Sequence, residues 1–272
     1  MLRAVLPLLL ATVGLLQPAL ADEHLASRWS PAPIVVDGDA DEWRGIVFQY
    51  FDNDNSALGI MNDADNLYLI VLSRDEATIR QMERRGVTVW ISPDGKKKMQ
   101  YGLRYRGGMA KARMDQRERA GDARPPQMPE GREEIREEQA RLRKIIEVFD
   151  NKQTREIPAA GEQGPAAATA FGNDVYSCEF LIPITADSGR YSLRLTEPGN
   201  LALGIHIGYV SDADKAQMKE RFKERDGEPR MGGMPPGGFG GGGMTGGRPP
   251  QMRRDAEKKE FWIAVDLARK PE

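Results

Sequence analysis

Two tryptophans in this sequence stand out of phase with the apolar stripes of their own segments. Trp90 lies in VTVWI (87–91), offset from Val87, Val89 and Ile91, and Trp262 lies in EFWIAVDL (260–267), offset from Phe261, Ile263, Val265 and Leu267. Successive side chains of a strand point to opposite faces, so both indoles leave their strands on the side that the aliphatic interior does not occupy. Adjacent indoles there would form a platform or clamp on which a sugar ring stacks. The competing reading is packing beneath a helix or loop, because tryptophan is usually well buried. Arg104, near Gly102 in a hairpin strand, could donate a bidentate hydrogen bond to vicinal hydroxyls, or stay solvated. His206 points with Ala202, Gly204, Gly208 and Val210, opposite Leu201, Leu203, Ile205, Ile207 and Tyr209. The glycines beside it leave room above the imidazole for a ligand or for neighbouring backbone.

Other chemistries leave weaker marks. Asp37, Asp39 and Asp41 share the 1-3-5 spacing of a calcium loop. Gly38 stands at position 2, and Phe48 occupies the place where an EF-hand needs glutamate, so that motif is excluded. A structural calcium in the turn and a solvated acidic turn remain as alternatives. Cys178, the single cysteine, alternates with Tyr176, Phe180 and Ile182. It reads as a buried, inert thiol, because reactive thiols sit in exposed electropositive settings. There is no HExxH, GxSxG or Walker loop, and no pair of carboxylates is singled out for glycoside hydrolysis. The sequence is read as non-enzymatic, with no catalytic residues. Lys and Arg number 39 against 41 Asp and Glu, which lacks the basic footprint of nucleic-acid binding.

The elements that must position these residues are mostly strands. Residues 1–21 read as a cleavable secretory signal: Arg3, an apolar run from Val5 to Leu16, and the small-x-small site Ala19-Leu20-Ala21. The run is too short to cross a bilayer, so no stable membrane insertion is expected after cleavage, and the protein is expected to be periplasmic or secreted. Residues 22–272 read as one domain. Strands are expected at 34–36, 46–51, 57–62, 67–73, 87–91, 99–105, 175–182, 190–195, 201–210 and 260–267, separated by Asp/Asn turns. Asp75 should cap a short helix that ends at Gly86. Pro93-Asp94-Gly95 is a hairpin turn. Two inserts interrupt this rhythm. Residues 106–170 read as a charged loop and a helix over 133–149, with Ile135, Leu142, Ile145, Ile146 and Phe149 on one stripe. Residues 211–256 read as a charged helix followed by a Gly/Met/Pro-rich disordered stretch at 227–252. The fold class is therefore all-β, an antiparallel β-sandwich with short helices and two long inserted loops.

Four segments, in order, resemble family 9 carbohydrate-binding modules. IVVDGDADEW (34–43) is similar to the family's opening, where an apolar strand meets Asp-Gly, an acidic residue and Trp. IMNDADNLYLIV (60–71) resembles its Asn-Asp turn before Asn-Leu-Tyr-Leu, VTVWISPDGKK (87–97) its central hairpin, and VYSCEFLIPI (175–184) its strand ending in Ile-Pro. The resemblance implies a sandwich of the wider DOMON-like group, exported and non-catalytic. It also implies saccharide binding through aromatic side chains, sometimes with structural calcium, and it makes Trp43 a core residue.

The resulting expectation is an exported module that binds a saccharide, with Trp90 and Trp262 stacking and Arg104 and His206 hydrogen-bonding. Two alternatives stand beside it. In one, Met61 and His206 ligate a haem, a chemically reasonable pair. In the other, the chain is a structural or interaction protein of the cell envelope that holds a protein partner through the Gly-rich insert.

Overall fold

The computed structural model describes residues 24–52, 55–108, 137, 140–151, 153–186, 190–195, 199–216, 219–220 and 259–272. The segments read above as the signal, 1–21, and the Gly/Met/Pro-rich stretch, 227–252, lie outside them. Strands run β1 (His24–Ala26), β2 (Arg28–Trp29), β3 (Gln49–Phe51), β4 (Ser56–Asn62), β5 (Asn66–Ser73), β6 (Val87–Ser92) and β7 (Tyr101–Tyr105). They continue as β8 (Ile145–Asp150), β9 (Gln153–Pro158), β10 (Ala166–Gly172), β11 (Val175–Pro183), β12 (Asn200–Ile207) and β13 (Lys259–Asp266). Helix α1 (Glu76–Arg85) starts at Asp75, whose carboxylate accepts the Thr78 N–H at 2.7 Å, and stops at Gly86.

Two sheets form the sandwich. The seven-stranded sheet has the order β1-β13-β12-β6-β7-β8-β9, and the six-stranded sheet runs β10-β11-β5-β4-β2, with β3 also on β4. All pairs are antiparallel except β1 with β13 and β2 with β4. Alternate residues meet in the interior: Leu58, Ile60, Leu67, Leu69 and Val71 from one sheet face Val87, Val89, Ile91, Leu203, Ile205 and Ile263 from the other. Each such side chain contributes about 1.5–3 kcal/mol by leaving water. Cys178 is in this core, and burial pushes its thiol pKa up. The outer face of the six-stranded sheet is covered as well. Trp43, Met61, Tyr68 and Ile70 form a second apolar cluster there with Ile34, Ile46 and Phe48.

Short polar anchors fix the turns between these strands. Glu179 lies in β11 and is buried. Its carboxylate accepts the Asp37 and Gly38 N–H groups at 3.1 and 2.7 Å and the Trp43 indole N–H. Gly38 has φ +89°, and a Cβ there would lie 2.4 Å from the Thr169 carbonyl carbon, so only glycine fits. Asp63 organises the next turn: it accepts the Asp65 and Asn66 N–H groups and the Tyr68 hydroxyl at 2.8, 2.7 and 2.6 Å. At one end Ser27, between β1 and β2, joins the two sheets. Its hydroxyl donates to Asn62 and accepts the Ala268 N–H.

Several expected elements differ. Residues 34–36 belong to no strand, and Ile34 instead packs on the outer apolar cluster. Residues 190–195 are not a strand; Arg194 has φ +52°, and only the Leu193 and Leu195 N–H groups bond back to Pro183 and Ile184. The larger correction is at 133–149. Described helical positions occur at 137 and 140–142, but Ile145–Asp150 is strand β8. Ile146 and Val148 face the core while Glu147 and Phe149 face outward, so a period of two overrode the helical stripe. β9 and β10 lie in the same stretch read as an insert. β9 is an edge strand, polar because most of it is exposed, and the alanines of β10 are held by pairing with β11.

Candidate functional site

The outer face of the seven-stranded sheet carries two adjacent rows of side chains. Across β13, β12, β6, β7 and β8 the register aligns Trp262, Gly204, Trp90, Gly102 and Phe149. One step along, the same strands align Glu260, His206, Thr88, Arg104 and Glu147. Aromatic and glycine alternate in the first row because each indole lies over its neighbour's bare backbone. A Cβ on Gly102 would sit 2.5 Å from the Trp90 ring, and one on Gly204 2.7 Å from the Trp262 ring. The four residues expected from sequence are thus brought together on one face, with the His206 ring 6.2 Å from Trp90 and 6.1 Å from Trp262.

Their exposures differ. Trp262 is half-buried, and its indole N–H donates to Glu260 at 2.7 Å. Trp90 is only 3% exposed, and its indole N–H is buried without a hydrogen-bond partner. Tyr209 covers it. A strict period of two would put Tyr209 in the core with Leu201, Leu203, Ile205 and Ile207, but β12 ends at Ile207 and Gly208 turns with φ +76°. The tyrosine is thereby swung to the outer face, edge-on to Trp90 at 5.4 Å and to Phe149 at 5.8 Å. His206 is fully buried, with Nε2 3.2 Å from a Glu260 carboxylate oxygen.

Arg104 is not solvated. Its Nε donates to Glu147, and its Nη1 to Asp214 at 2.6 Å and to the Tyr209 carbonyl at 3.3 Å. Arg106 donates to Glu147 at 2.7 Å and to Asp214 at 3.0 Å. Two arginines and two carboxylates therefore form a closed square under Phe149 and Tyr209, with the Arg104 guanidinium 5.3 Å from the Phe149 ring centre. Sequence reasoning missed Phe149, Tyr209, Glu147, Arg106 and Asp214. The detectable signals were the period-two alternation of IIEVF and a glycine breaking the phase of β12.

The acidic turn does not gather its carboxylates. Asp37 accepts the Asp39 N–H at 2.8 Å, while Asp41 pairs with Arg44 at 2.6 Å. Among the described residues, no group of three or more His, Cys, Asp and Glu side chains is placed to hold a metal ion. Met61 and His206 do not meet. Met61 lies outside the six-stranded sheet and His206 outside the seven-stranded one, with both sheets between them. Trp43 is core, as expected, at 1% exposure. A cavity of about 760 Å³ opens elsewhere, beside Lys144, Ile157 and Ala167. No described helix is long and apolar enough to cross a membrane.

The glycine seats give a differential test. Gly102→Ala should cost about 1–3 kcal/mol by forcing apart a packed contact, since Trp90 is wedged beneath Tyr209 and beside Phe149. Gly204→Ala should cost less, because half-buried Trp262 can lift. Urea unfolding of both variants compares them, and equal costs would mean that Trp90 is not locked.

No family model and no curated protein matches the chain. Among solved structures, it is similar to a carbohydrate binding module family 9 (CBM9) from Caldicellulosiruptor kristjanssonii in complex with glucose. That likeness has 9% identity and a TM-score of 0.35, over 71% of this chain and 81% of that one. It is likewise similar to a family 9 module of the same organism in complex with cellotriose, at 10% identity and a TM-score of 0.33, over 71% and 80% of the two chains.

Proposed function

We propose that the chain is an exported, non-catalytic saccharide-binding domain, using the outer face of its seven-stranded sheet. The observation that carries this reading is the aromatic–glycine row with a polar row beside it. Indoles laid flat over glycine backbone offer a plane to the C–H face of a pyranose, and the partly exposed Glu260 stands one step away for hydroxyls, with the buried His206 behind it. Trp262 is the accessible stacking surface. Trp90 continues it under Tyr209, with an unpaired indole N–H ready for an acceptor when that ring moves. Arg104 acts from beneath, holding the Tyr209 backbone that frames the site. Glu147 and Asp214 are each held by two arginines, which gives this pair a framing role beneath the site.

A glycan array of the chain lacking residues 1–21, followed by calorimetry with the best-bound neutral oligosaccharide, tests the reading. Trp262→Ala should weaken binding by about tenfold or more, the loss of roughly 1.4 kcal/mol of stacking, with an unchanged unfolding midpoint. Affinity equal to that of the parent, or no glycan bound, ends the proposal.

A further inference from the structure

At the end of the aromatic face where β6 begins and β7 ends, four arginines line one cavity of about 170 Å³. Arg84 and Arg85 come from the last turn of α1, Arg104 from β7 and Arg106 from just beyond it; Tyr209, Val210 and Asp214 complete the wall. Basic residues in a last turn complement the helix dipole. That accounts for two arginines on α1 but not for their convergence with two more on a shared cavity.

The charges there do not cancel. Glu147 and Asp214 answer Arg104 and Arg106. Asp214 is further engaged by the Ser211 N–H and hydroxyl at 2.9 and 2.8 Å. Arg84 and Arg85 have no carboxylate partner among the described residues. The Nε of Arg106 is buried with no hydrogen-bond partner, and a buried donor on a charged group is costly to leave unmet. Two uncompensated positive charges and an unmet buried donor thus adjoin one small cavity.

We propose that this cavity binds an oxyanion: a sulfate, phosphate or carboxylate group whose oxygens accept from Arg84, Arg85 and Arg106. Guanidinium groups suit such oxygens because their donors lie in a fixed planar fork. The volume holds one such group and a few waters, each of which occupies about 30 Å³. The anion arrives either as a free inorganic ion or as the acidic substituent of a saccharide. Tyr209 lines the cavity and also touches Trp90, so the second source would span both sites. The site stands on its arginines and does not rest on the saccharide reading.

The test uses the chain lacking residues 1–21, titrated calorimetrically with sodium sulfate, sodium phosphate and a uronate or sulfated oligosaccharide, against sodium chloride at matched ionic strength. Sulfate stabilises folded proteins in general, so the readout is the difference from Arg84→Gln/Arg85→Gln, which leaves the ion-pair square intact. Saturable binding is expected, weakened about tenfold or more in the double variant by the loss of charge-assisted bonds. If the double variant does not fold, Arg84→Glu alone, at an exposed position, gives the same comparison. An acidic oligosaccharide that binds tighter than both inorganic sulfate and its neutral counterpart assigns the anion to a sugar; equal affinity for the inorganic ion assigns it to free anion. No saturable binding of any of these, or affinity unchanged by the substitutions, overturns the site.

Discussion

Arg104→Met should destabilise the fold by about 3–5 kcal/mol, the usual cost of removing one partner from a buried ion pair, read as a lower urea midpoint. Its side chain is 3% exposed, and those of Glu147 and Asp214 are 10% and 22% exposed, so the two carboxylates left behind cannot recover their hydration. Burial alone would lower the arginine's pKa, but its hydrogen bonds to Glu147 and Asp214 and the charge on those carboxylates raise it instead. Burial likewise pushes Asp214 up, and is outweighed by Arg104 and Ser211, which hold it well below the usual carboxylate range. The depressed pKa means that Asp214 contributes stability above the unfolded carboxylate value of 3.8, lost as the pH falls below it. Adding Glu147→Leu to Arg104→Met should recover part of the loss, because one orphaned charge is then removed with its partner. A double-mutant cycle isolates that coupling. A loss under about 1 kcal/mol for the single variant, the range of exposed pairs, would mean that the square is solvated.

Glu179→Gln should cost about 1–3 kcal/mol, the penalty for leaving buried hydrogen-bonding groups unmatched. The carboxylate offers acceptors on both oxygens, one to the Asp37 and Gly38 N–H groups and the other to the Trp43 indole. An amide has one oxygen, so its NH₂ must face a donor whichever way it turns. The pH dependence gives a second readout. Burial, the largest influence, raises the Glu179 pKa from 4.5 to about 7, against the opposing hydrogen bonds from Trp43 and Gly38. A group raised in the folded state favours folding most fully below its unfolded value, and that contribution is lost as the pH climbs through the folded one. The parent should therefore lose stability from Glu179 between 4.5 and about 7, and the glutamine variant should lack that slope. Parallel curves for the two proteins would place the carboxylate in a solvated setting.

These anchors show which part of the fold was legible in sequence. DGDADEW and NDADNLY are distinctive because a buried glutamate and a turn aspartate each hold several backbone N–H groups and one aromatic, a demand local enough to mark the sequence. They identify turns of the sandwich, and they lie away from the aromatic row. Phase reading turned Trp90, Trp262 and His206 away from the aliphatic stripes of their own strands, since period two needs no knowledge of partners; that Arg104 shares their face follows from the register of β6 with β7. It could not foresee burial, which depends on what comes to lie over that face. Phe149 arrives from a segment whose apolar spacing also fits a helix, and Tyr209 arrives through a single glycine that reverses the phase of its strand. Neither event is encoded in β6 or β13. The edge strand β9 was illegible for a related reason: with solvent on its open flank, QTREIP carries almost no apolar pattern.

The crossing at Ser27 bears on the order of assembly. Among the described residues β1 pairs with β13 alone, more than 230 residues away in sequence, and the Ser27 hydroxyl is closed off by Asn62 and Ala268. During synthesis the first strand therefore has no partner until residue 266 has emerged. Contacts of such long sequence separation also form late and slowly. A polypeptide wired in this way closes this corner of the sandwich last, when β1 and β13 have both been made.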